Sequence, residues 1–445
     1  MHHSLIAGKL VSKASKTFKK GAGSTWPGHI ALKTDKAFIR KIISKNPRLK
    51  IVLIAGTNGK TTTTKSLAHI LDTNNISTIT NSAGANLING LASTLVLKSD
   101  IMGRIKERAL LFEVDENTLP LVLDEIPSPD AIILLNLFRD QLDRYGEVNA
   151  TAEKWKECLE KLDETLIVAN ADDPQIAYLA GFAKQKSFFT INDKFKTERT
   201  LSHAVDSTTC PRCNNPLVYS KISYSHLGNY ACPNCGFINP TSQSFNIKTS
   251  LLGKYNLYNL SSAIIVALKV FGINEIKALD SLLSFKPAFG RQEATEIDGK
   301  KVMLLLSKNP TGFNESLKVA IEKTRKYSSS EERSSRSKVS NNINGTILIL
   351  LNDKIPDGRD ISWIWDVDFE VLKNKNFMVF VSGDRCYDMA NRLLFANITH
   401  EVFENYENAY KEALKHTGKG KTLTVLPTYS AMLEVRQLIS GRKIL

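Results

Sequence analysis

The chain is predicted to be an α/β protein made of two successive strand–helix series, the first interrupted by a small cysteine-rich module. Three observations predict this. Short apolar runs alternate with helical spacing from Ile51 onward. A glycine-rich turn, Gly56-Thr57-Asn58-Gly59-Lys60-Thr61, stands between a strand-like run and a helix-like one. Two Cys-x-x-Cys pairs, Cys210/Cys213 and Cys232/Cys235, occupy a stretch rich in Pro, Asn, Gly and Tyr.

In the first series the strands expected are Ile51–Ile54, Ile76–Thr80, Leu110–Val114, Ala131–Leu135, Leu166–Ala169 and Ser187–Thr190. Between them lie helical stretches, such as the one that aligns Leu67, Ile70 and Leu71 on one face. This alternation predicts a mostly parallel sheet. Around Thr208 to Pro240 the texture becomes that of a small inserted module, and helical spacing returns from Leu257 to Phe271. Past Arg291 the second series reads as strand Val302–Leu306, helix Glu315–Lys326, strands Ile347–Leu351 and Met378–Val381, helix Asp388–Phe395 and strand Leu423–Leu426. The Ser-, Arg- and Glu-rich stretch from Tyr327 to Asn344 has almost nothing to bury and is expected to be a mobile loop. No internal repeat is evident.

At 445 residues the chain predicts two or three domains, and 42% apolar residues exclude general disorder. No apolar run approaches the length of a membrane span. The first residues turn Lys-rich after Ala7 instead of forming a signal-peptide core, so a cytoplasmic protein is expected. The net charge of +14 suits nucleic acid, anionic lipid or a polyphosphate-bearing substrate, and charge alone does not choose among them. Leu5, Ile6, Leu10, Val11 and Phe18 among lysines read either as a basic amphipathic helix at a membrane surface or as a helix packed on the neighbouring domain.

The glycine turn has the context of a phosphate site. Gly56 and Gly59 let backbone N–H groups approach phosphate oxygens, and the following helix adds its N-terminal dipole. Lys60 is then expected on the β/γ-phosphates of ATP and the Thr61 hydroxyl on Mg²⁺. The first glycine of the usual eight-residue pattern would fall at Ile54, so the loop is a shortened variant. Glu113, at a strand end, reads either as a Mg²⁺ ligand or as one member of the acidic run Glu113-Val114-Asp115-Glu116.

Cys210 and Cys213, then eighteen residues, then Cys232 and Cys235 is the spacing of a structural Zn²⁺ ribbon. An iron–sulfur cluster is the alternative. Cys158 and Cys386 stand alone.

Several segments together resemble the Mur ligase family. They are Gly56–Thr64, Leu135-Asn136-Leu137-Phe138-Arg139-Asp140-Gln141-Leu142-Asp143, Asn170-Ala171-Asp172-Asp173-Pro174, Gly253-Lys254-Tyr255-Asn256-Leu257-Tyr258-Asn259 and Gly290-Arg291. Many members have a histidine where Gln141 stands. Within the family the likeness is greatest to the MurT branch, the synthetase subunits of lipid II isoglutaminyl synthase. It rests on Asn81-Ser82-Ala83-Gly84-Ala85-Asn86, the ribbon, Lys308–Asn314, and the signature from Asn352-Asp353 through Asp357-Gly358-Arg359-Asp360-Ile361-Ser362-Trp363-Ile364-Trp365-Asp366.

The resemblance implies an N-terminal basic segment (1–45), a central P-loop ATPase domain (46–290) with the ribbon inserted at about 205–245, and a C-terminal Rossmann-like α/β domain (291–445). It implies an ATP/Mg²⁺ site of Gly56, Thr57, Asn58, Gly59, Lys60, Thr61, Thr62, Glu113, Asn256, Asn259 and Arg291, with Lys60 and Glu113 acting in catalysis. The reaction implied is ATP-dependent amidation of the α-carboxyl of D-isoglutamate in lipid II through an acyl phosphate. No glutaminase is evident in the chain, so ammonia is expected from a separate GatD-type subunit. That subunit's Cys–His pair lacks an acid, which Asp360 would supply, with Asp353, Asp357 and Asp366 as rivals. For Asp357 turn capping is the better reading. Trp363 and Trp365 are balanced between core packing and partner contact.

Two other readings compete. One is a self-sufficient Mur or folylpolyglutamate-type ligase. The weaker is a zinc-ribbon nucleic-acid protein using Tyr219, Tyr224 and Tyr230, disfavoured because the ribbon's basic residues are few (Arg212, Lys221). The protein is expected in the cytoplasm, with peripheral attachment to the inner membrane face left open, and no nucleic-acid partner is expected.

Overall fold

A computed structural model describes residues 1–17, 25–81, 85–139, 148–202, 205–286, 291–331 and 345–440. Three helices come first: α1 (His2–Thr17), α2 (Trp26–Thr34) and α3 (Phe38–Lys45). Strands and helices then alternate as β1 (Lys50–Ala55), α4 (Lys60–Thr73), β2 (Thr78–Thr80), α5 (Ile88–Lys98), β3 (Ala109–Glu113) and α6 (Leu119–Glu125). They continue through β4 (Ala131–Leu134), α7 (Val148–Leu159), β5 (Leu166–Asn170), α8 (Pro174–Ala180) and β6 (Gln185–Phe189). The six strands form one parallel sheet in the order β2-β3-β1-β4-β5-β6. Each strand expected from the sequence is present within two residues at either end.

The continuous apolar runs are explained by burial on both faces. Along β1, Ile51, Leu53 and Ala55 join one core with α5, α6 and α7, while Val52 and Ile54 join the other with Leu67, Ile70 and Leu71 of α4. The second core is closed by α9 (Lys254–Lys269) and α10 (Glu275–Leu283). Strand β1 lies between β3 and β4, so the chain leaves its carboxyl end at the point where strand order reverses. In open α/β sheets that crevice is where ligands bind.

Before α9 comes the cysteine module. Its antiparallel hairpin, β7 (Val218–Tyr224) and β8 (Leu227–Ala231), packs Leu217, Tyr230 and Phe237 with the cysteines as a small cluster against Ala177 of α8. The second series contains β9 (Arg291–Ile297), β10 (Lys300–Leu305), α11 (Pro310–Glu331), β11 (Gly345–Leu350), β12 (Phe377–Ser382) and α12 (Cys386–Phe395). It ends with β13 (Glu401–Val402), α13 (Tyr406–His416), β14 (Thr422–Pro427) and α14 (Tyr429–Ser440). Its sheet runs β13-β12-β11-β14-β10-β9, parallel except for the antiparallel edge strand β9.

One expectation is corrected. The loop expected from Tyr327 is helical as far as Glu331, because α11 runs from Pro310 to Glu331; residues 332–344 lie outside the described ones. No glycine or proline follows Gly312 until Gly345, so nothing in the sequence stops the helix early. It also starts five residues before the expected point. Pro310 suits a first helical turn, and the Asn309 side chain accepts the Gly312 N–H at 2.8 Å.

The first helix packs on its neighbours. Leu5 is fully buried, and Gly8 lies against Pro27 of α2 and Val96 of α5. Phe18 lies outside the described residues. Among the described residues no helix is long and apolar enough to cross a membrane.

Candidate active site

The turn after β1 is held in shape by a side chain from the next strand over. Asn136, just past β4, accepts the Asn58 N–H at 2.9 Å and donates to the Asn58 carbonyl at 3.0 Å, and its own carbonyl takes the Thr57 N–H. Thr57 Oγ1 accepts the Phe138 N–H at 3.0 Å. Gly59 ends the turn at φ 97°, where a Cβ would stand 2.1 Å from Asn259 Oδ1. Glycine is therefore needed both for the conformation and for the approach of α9.

Lys60 and Thr61 open α4. Lys60 Nζ donates to the Gly56 carbonyl at 2.6 Å and lies 3.2 Å from Glu116 Oε2, both side chains about 10% exposed. Thr61 Oγ1 donates to Glu113 Oε2 at 2.8 Å. Glu113 is buried at the end of β3, where Asn81 clamps its backbone by accepting its N–H (2.9 Å) and donating to its carbonyl (3.0 Å).

A cavity of about 700 Å³, counting its open mouth, extends from this turn to the second series. Asn58, Gly59 and Thr62 line one end, and Asn256 and Asn259 of α9 line its wall. The Asn259 amide donates to Asn256 Oδ1 (3.2 Å), whose own amide is tied to the Leu252 carbonyl (2.7 Å). Tyr224 of the cysteine module and Tyr255 supply an aromatic side, and Thr311, Gly312 and Glu315 of α11 close the far side. Burial pushes the Glu315 carboxyl up, and Lys318 at 3.1 Å opposes that. Asn309 bridges the two series by donating to Asn58 Oδ1 at 3.1 Å.

Thus the structure brings Asn58, Gly59, Thr62, Asn256 and Asn259 to one cavity, with Lys60, Thr61 and Glu113 adjoining at the turn. Arg291 opens β9, but its side chain lies outside the described residues, as do Gln141, Asp143, Gly290 and Ser82–Gly84. Asp172 and Asp173 serve the fold. Asp173 caps α8 through the N–H groups of Gln175 and Ile176, while buried Asp172 holds Lys196 (2.9 Å) and the Tyr258 hydroxyl (2.6 Å). Sequence reasoning gives no site role to Glu116 or Glu315, names Asn136 and Asn309 only within family segments, and gives Tyr224 a role only in the nucleic-acid reading. Glu116 was visible in the acidic run; for the others, pairing across strands and between the two series carries no local signal.

The four cysteine sulfurs lie within 4.8 Å of one another, with Cys210–Cys235 at 3.6 Å and Cys213–Cys232 at 3.5 Å. Tetrahedral Zn–S bonds of ~2.3 Å put sulfurs about 3.8 Å apart, so this donor set fits such an ion. Burial pushes the lone Cys158 and Cys386 thiols up.

The four candidate aspartates differ sharply. Asp357 is buried and accepts from the Ser430 N–H (2.8 Å) and hydroxyl, fastening its loop to α14, and a backbone hydrogen bond at Lys354 ties it to its own turn as well. Asp366 pairs with Arg139 (3.2 Å) and Asp353 with Arg385 (3.5 Å). Asp360 is exposed, one oxygen accepting the Ser362 N–H at 2.8 Å. Trp363 packs against Phe313 in the core, whereas Trp365 is 44% exposed beside Phe395, itself 67% exposed.

Comparison with known proteins decides the family. A model described as Mur ligase middle domain matches residues 54–267, and one described as MurT ligase C-terminal matches residues 306–432. The MurT subunit of lipid II isoglutaminyl synthase (glutamine-hydrolyzing) from Staphylococcus aureus (strain COL) is 32% identical, over 95% of this chain and 94% of its own length. The chain belongs to the Mur ligase family, in its MurT branch. The MurT subunit from Streptococcus pneumoniae (strain ATCC BAA-255 / R6) is 30% identical over the same shares. Among solved structures, a pseudomurein peptide ligase type C from Methanothermus fervidus shares the Mur ligase fold, with TM-score 0.66 and 19% identity over 91% of this chain and 81% of its own. A MurF ligase from Thermotoga maritima in complex with ADP gives TM-score 0.60 at 17% identity, over 92% and 83%.

Proposed function

We propose that the chain is the synthetase subunit of a lipid II isoglutaminyl synthase. It uses ATP to activate the α-carboxyl of D-isoglutamate in the lipid II stem peptide as an acyl phosphate, which ammonia from a GatD-type glutaminase converts to the amide. The observation that carries this reading is the whole-length likeness to MurT subunits named for that reaction.

The site's geometry is compatible with each role. The turn from Gly56 to Gly59 serves as the P-loop, Asn256 and Asn259 face the adenine, and the second series, a Rossmann-like domain, closes over the nucleotide. Lys60 exchanges Glu116 for the β/γ-phosphates. Thr61 and Glu113 hold Mg²⁺: adjacent ligands of an octahedral ion at ~2.1 Å stand about 3 Å apart, and their oxygens lie 2.8 Å apart. When bound there, such an ion would neutralise charge on the transferring phosphoryl group. Asp360, exposed and five residues before the half-exposed Trp365, orients the partner's catalytic histidine. The four cysteines hold a structural Zn²⁺. A lipid-borne substrate places the reaction at the inner face of the cell membrane.

The deciding experiment is ATP-dependent amidation of lipid II by the purified chain, with ammonium chloride or glutamine as nitrogen source. Product with ammonium alone, and with glutamine once the glutaminase is added, is expected. Asp360→Asn should spare the first activity and abolish the second. Failure with ammonium, together with ATP turnover triggered by a free amino acid, would point instead to a self-sufficient ligase.

A further inference from the structure

One corner of the molecule carries apolar side chains that neither the fold nor the cavity uses. Helix α1 buries Leu5, yet on its other face Ile6 and Leu10 are 48% and 62% exposed. Neighbouring elements add Trp26 at the start of α2, Leu97 near the end of α5, and Ile101 and Met102 in the turn after it, all between 44% and 67% exposed. The elements are tied together here. Gly8 sits at the crossing of α1 with Pro27 and Val96, His2 Nδ1 lies 3.3 Å from the Ile101 carbonyl, and Lys9 Nζ donates to the Ser99 carbonyl at 2.6 Å.

Lysine and arginine are interleaved with this apolar surface. Lys13, Lys98 and Arg104 are exposed around it, and Lys9 crosses it. The acid at its centre, Asp100, is engaged within its own turn, accepting the Met102 and Arg104 N–H groups at 2.8 Å each. The centre of a protein–protein interface is depleted of charge. Apolar side chains mixed with cations are what an anionic bilayer surface recruits, since insertion and charge attraction together give anchoring that neither gives alone.

We propose that this corner is a seat on an anionic membrane surface, with Ile6, Leu10, Trp26, Leu97, Ile101 and Met102 entering the headgroup layer and the cations facing lipid phosphates. The purpose of the seat rests on the reading above that the substrate is lipid-borne; its existence does not. Helix α5 links it to the site. Its 11 residues run from the segment beside the Glu113 clamp to this corner, about 16 Å at 1.5 Å per residue. A seated molecule thus holds the catalytic turn within reach of a headgroup standing off the bilayer.

The test is co-sedimentation of the full chain with phosphatidylglycerol-containing vesicles and with phosphatidylcholine vesicles. Binding to the first should exceed binding to the second at least about tenfold and weaken with added salt. Leu10→Ser with Ile101→Ser, both exposed, should lose about tenfold of that binding while melting temperature and its rise with MgATP stay unchanged. No sedimentation of the unaltered chain, or equal sedimentation of the variant, overturns the seat. So does a solution dimer that the variant dissociates without any vesicle binding, which would assign the corner to a second copy. Vesicle binding without amidation of lipid II would sink the functional reading and leave the seat standing.

Discussion

Asn309, at the start of α11, donates its side-chain amide to Asn58 Oδ1 across 3.1 Å, joining the second series to the turn that follows β1. Asn58 keeps both its backbone bonds to Asn136 whatever its side chain does. Asn58→Ala therefore removes the bridge, and with it one polar group of the cavity lining, while leaving the turn's backbone bonds in place. One such bond is worth about 1 kcal/mol, so ATP-dependent amidation with ammonium should fall about fivefold without a change in melting temperature. Asn309→Ala should do the same and also lose its helix cap. The double variant should be no less active than the worse single one, because both remove one contact. Additive losses would show that the two asparagines act separately.

The Lys60–Glu116 pair gives a second prediction. Both groups are nearly enclosed, so Glu116→Gln leaves the Lys60 charge without a counter-ion. Breaking a buried pair from one side costs about 3 kcal/mol, and the nucleotide-free protein should melt lower accordingly. On the proposed exchange ATP phosphates supply the missing negative charge, so MgATP should raise the variant's melting temperature more than it raises the unaltered chain's. Equal shifts in a thermal-melting assay would contradict the exchange of Glu116 for phosphate.

What the sequence made legible follows from how local each signal is. Strand β1, the turn and α4 form one continuous segment, so its apolar run, its glycines and its Lys-Thr pair can be read together. Cys210 to Cys235 likewise lie close in the chain. The Asn136, Asn309 and Glu315 contributions come from strand order and from the packing of two series, which no local pattern encodes. The helix continues from Tyr327 to Glu331 for another reason: polarity speaks to burial and not to backbone conformation, so it does not mark where a helix ends. The aspartate signature shows the same limit. Four acids within fourteen residues look alike in sequence, and only their partners separate Asp357 on Ser430 and Asp366 on Arg139 from exposed Asp360.

Asp357 carries a pH prediction. Burial raises its carboxyl above the ordinary range, against the pull of the Ser430 hydroxyl and of neighbouring N–H groups. The folded protein thus holds a proton that the unfolded chain releases, and stability falls as pH rises from the unfolded pKa through the folded one. Asp357→Asn cannot ionise and still offers Ser430 an acceptor and a donor. Denaturant unfolding between about pH 4 and pH 7 should show the unaltered chain losing stability relative to the variant, at no more than about 1.4 kcal/mol per pH unit. A difference that is flat, or that grows in the opposite sense, would mean Asp357 is ionised without penalty where it stands.

The cysteine cluster should matter to the nucleotide and not only to its own module. Tyr224 is the last residue of β7, lies within the module's hairpin, and lines the cavity beside Tyr255. The hairpin is also pinned to the first sheet where the Gly228 N–H meets the Asp172 carbonyl. With so few apolar side chains of its own, the module would depend on the proposed metal to stay folded. Cys232→Ser should reduce bound zinc from one ion per chain toward none, and ATP affinity measured by calorimetry should weaken several-fold as the Tyr224 wall loosens. The parent sheets have their own cores and should keep their helical content, which circular dichroism would register. Tyr224→Ala in metal-replete protein should weaken ATP binding to a similar extent while zinc content stays at one. Loss of zinc without loss of ATP affinity would show that the hairpin holds its place through its contacts to Asp172, Glu198 and Lys196 without the metal.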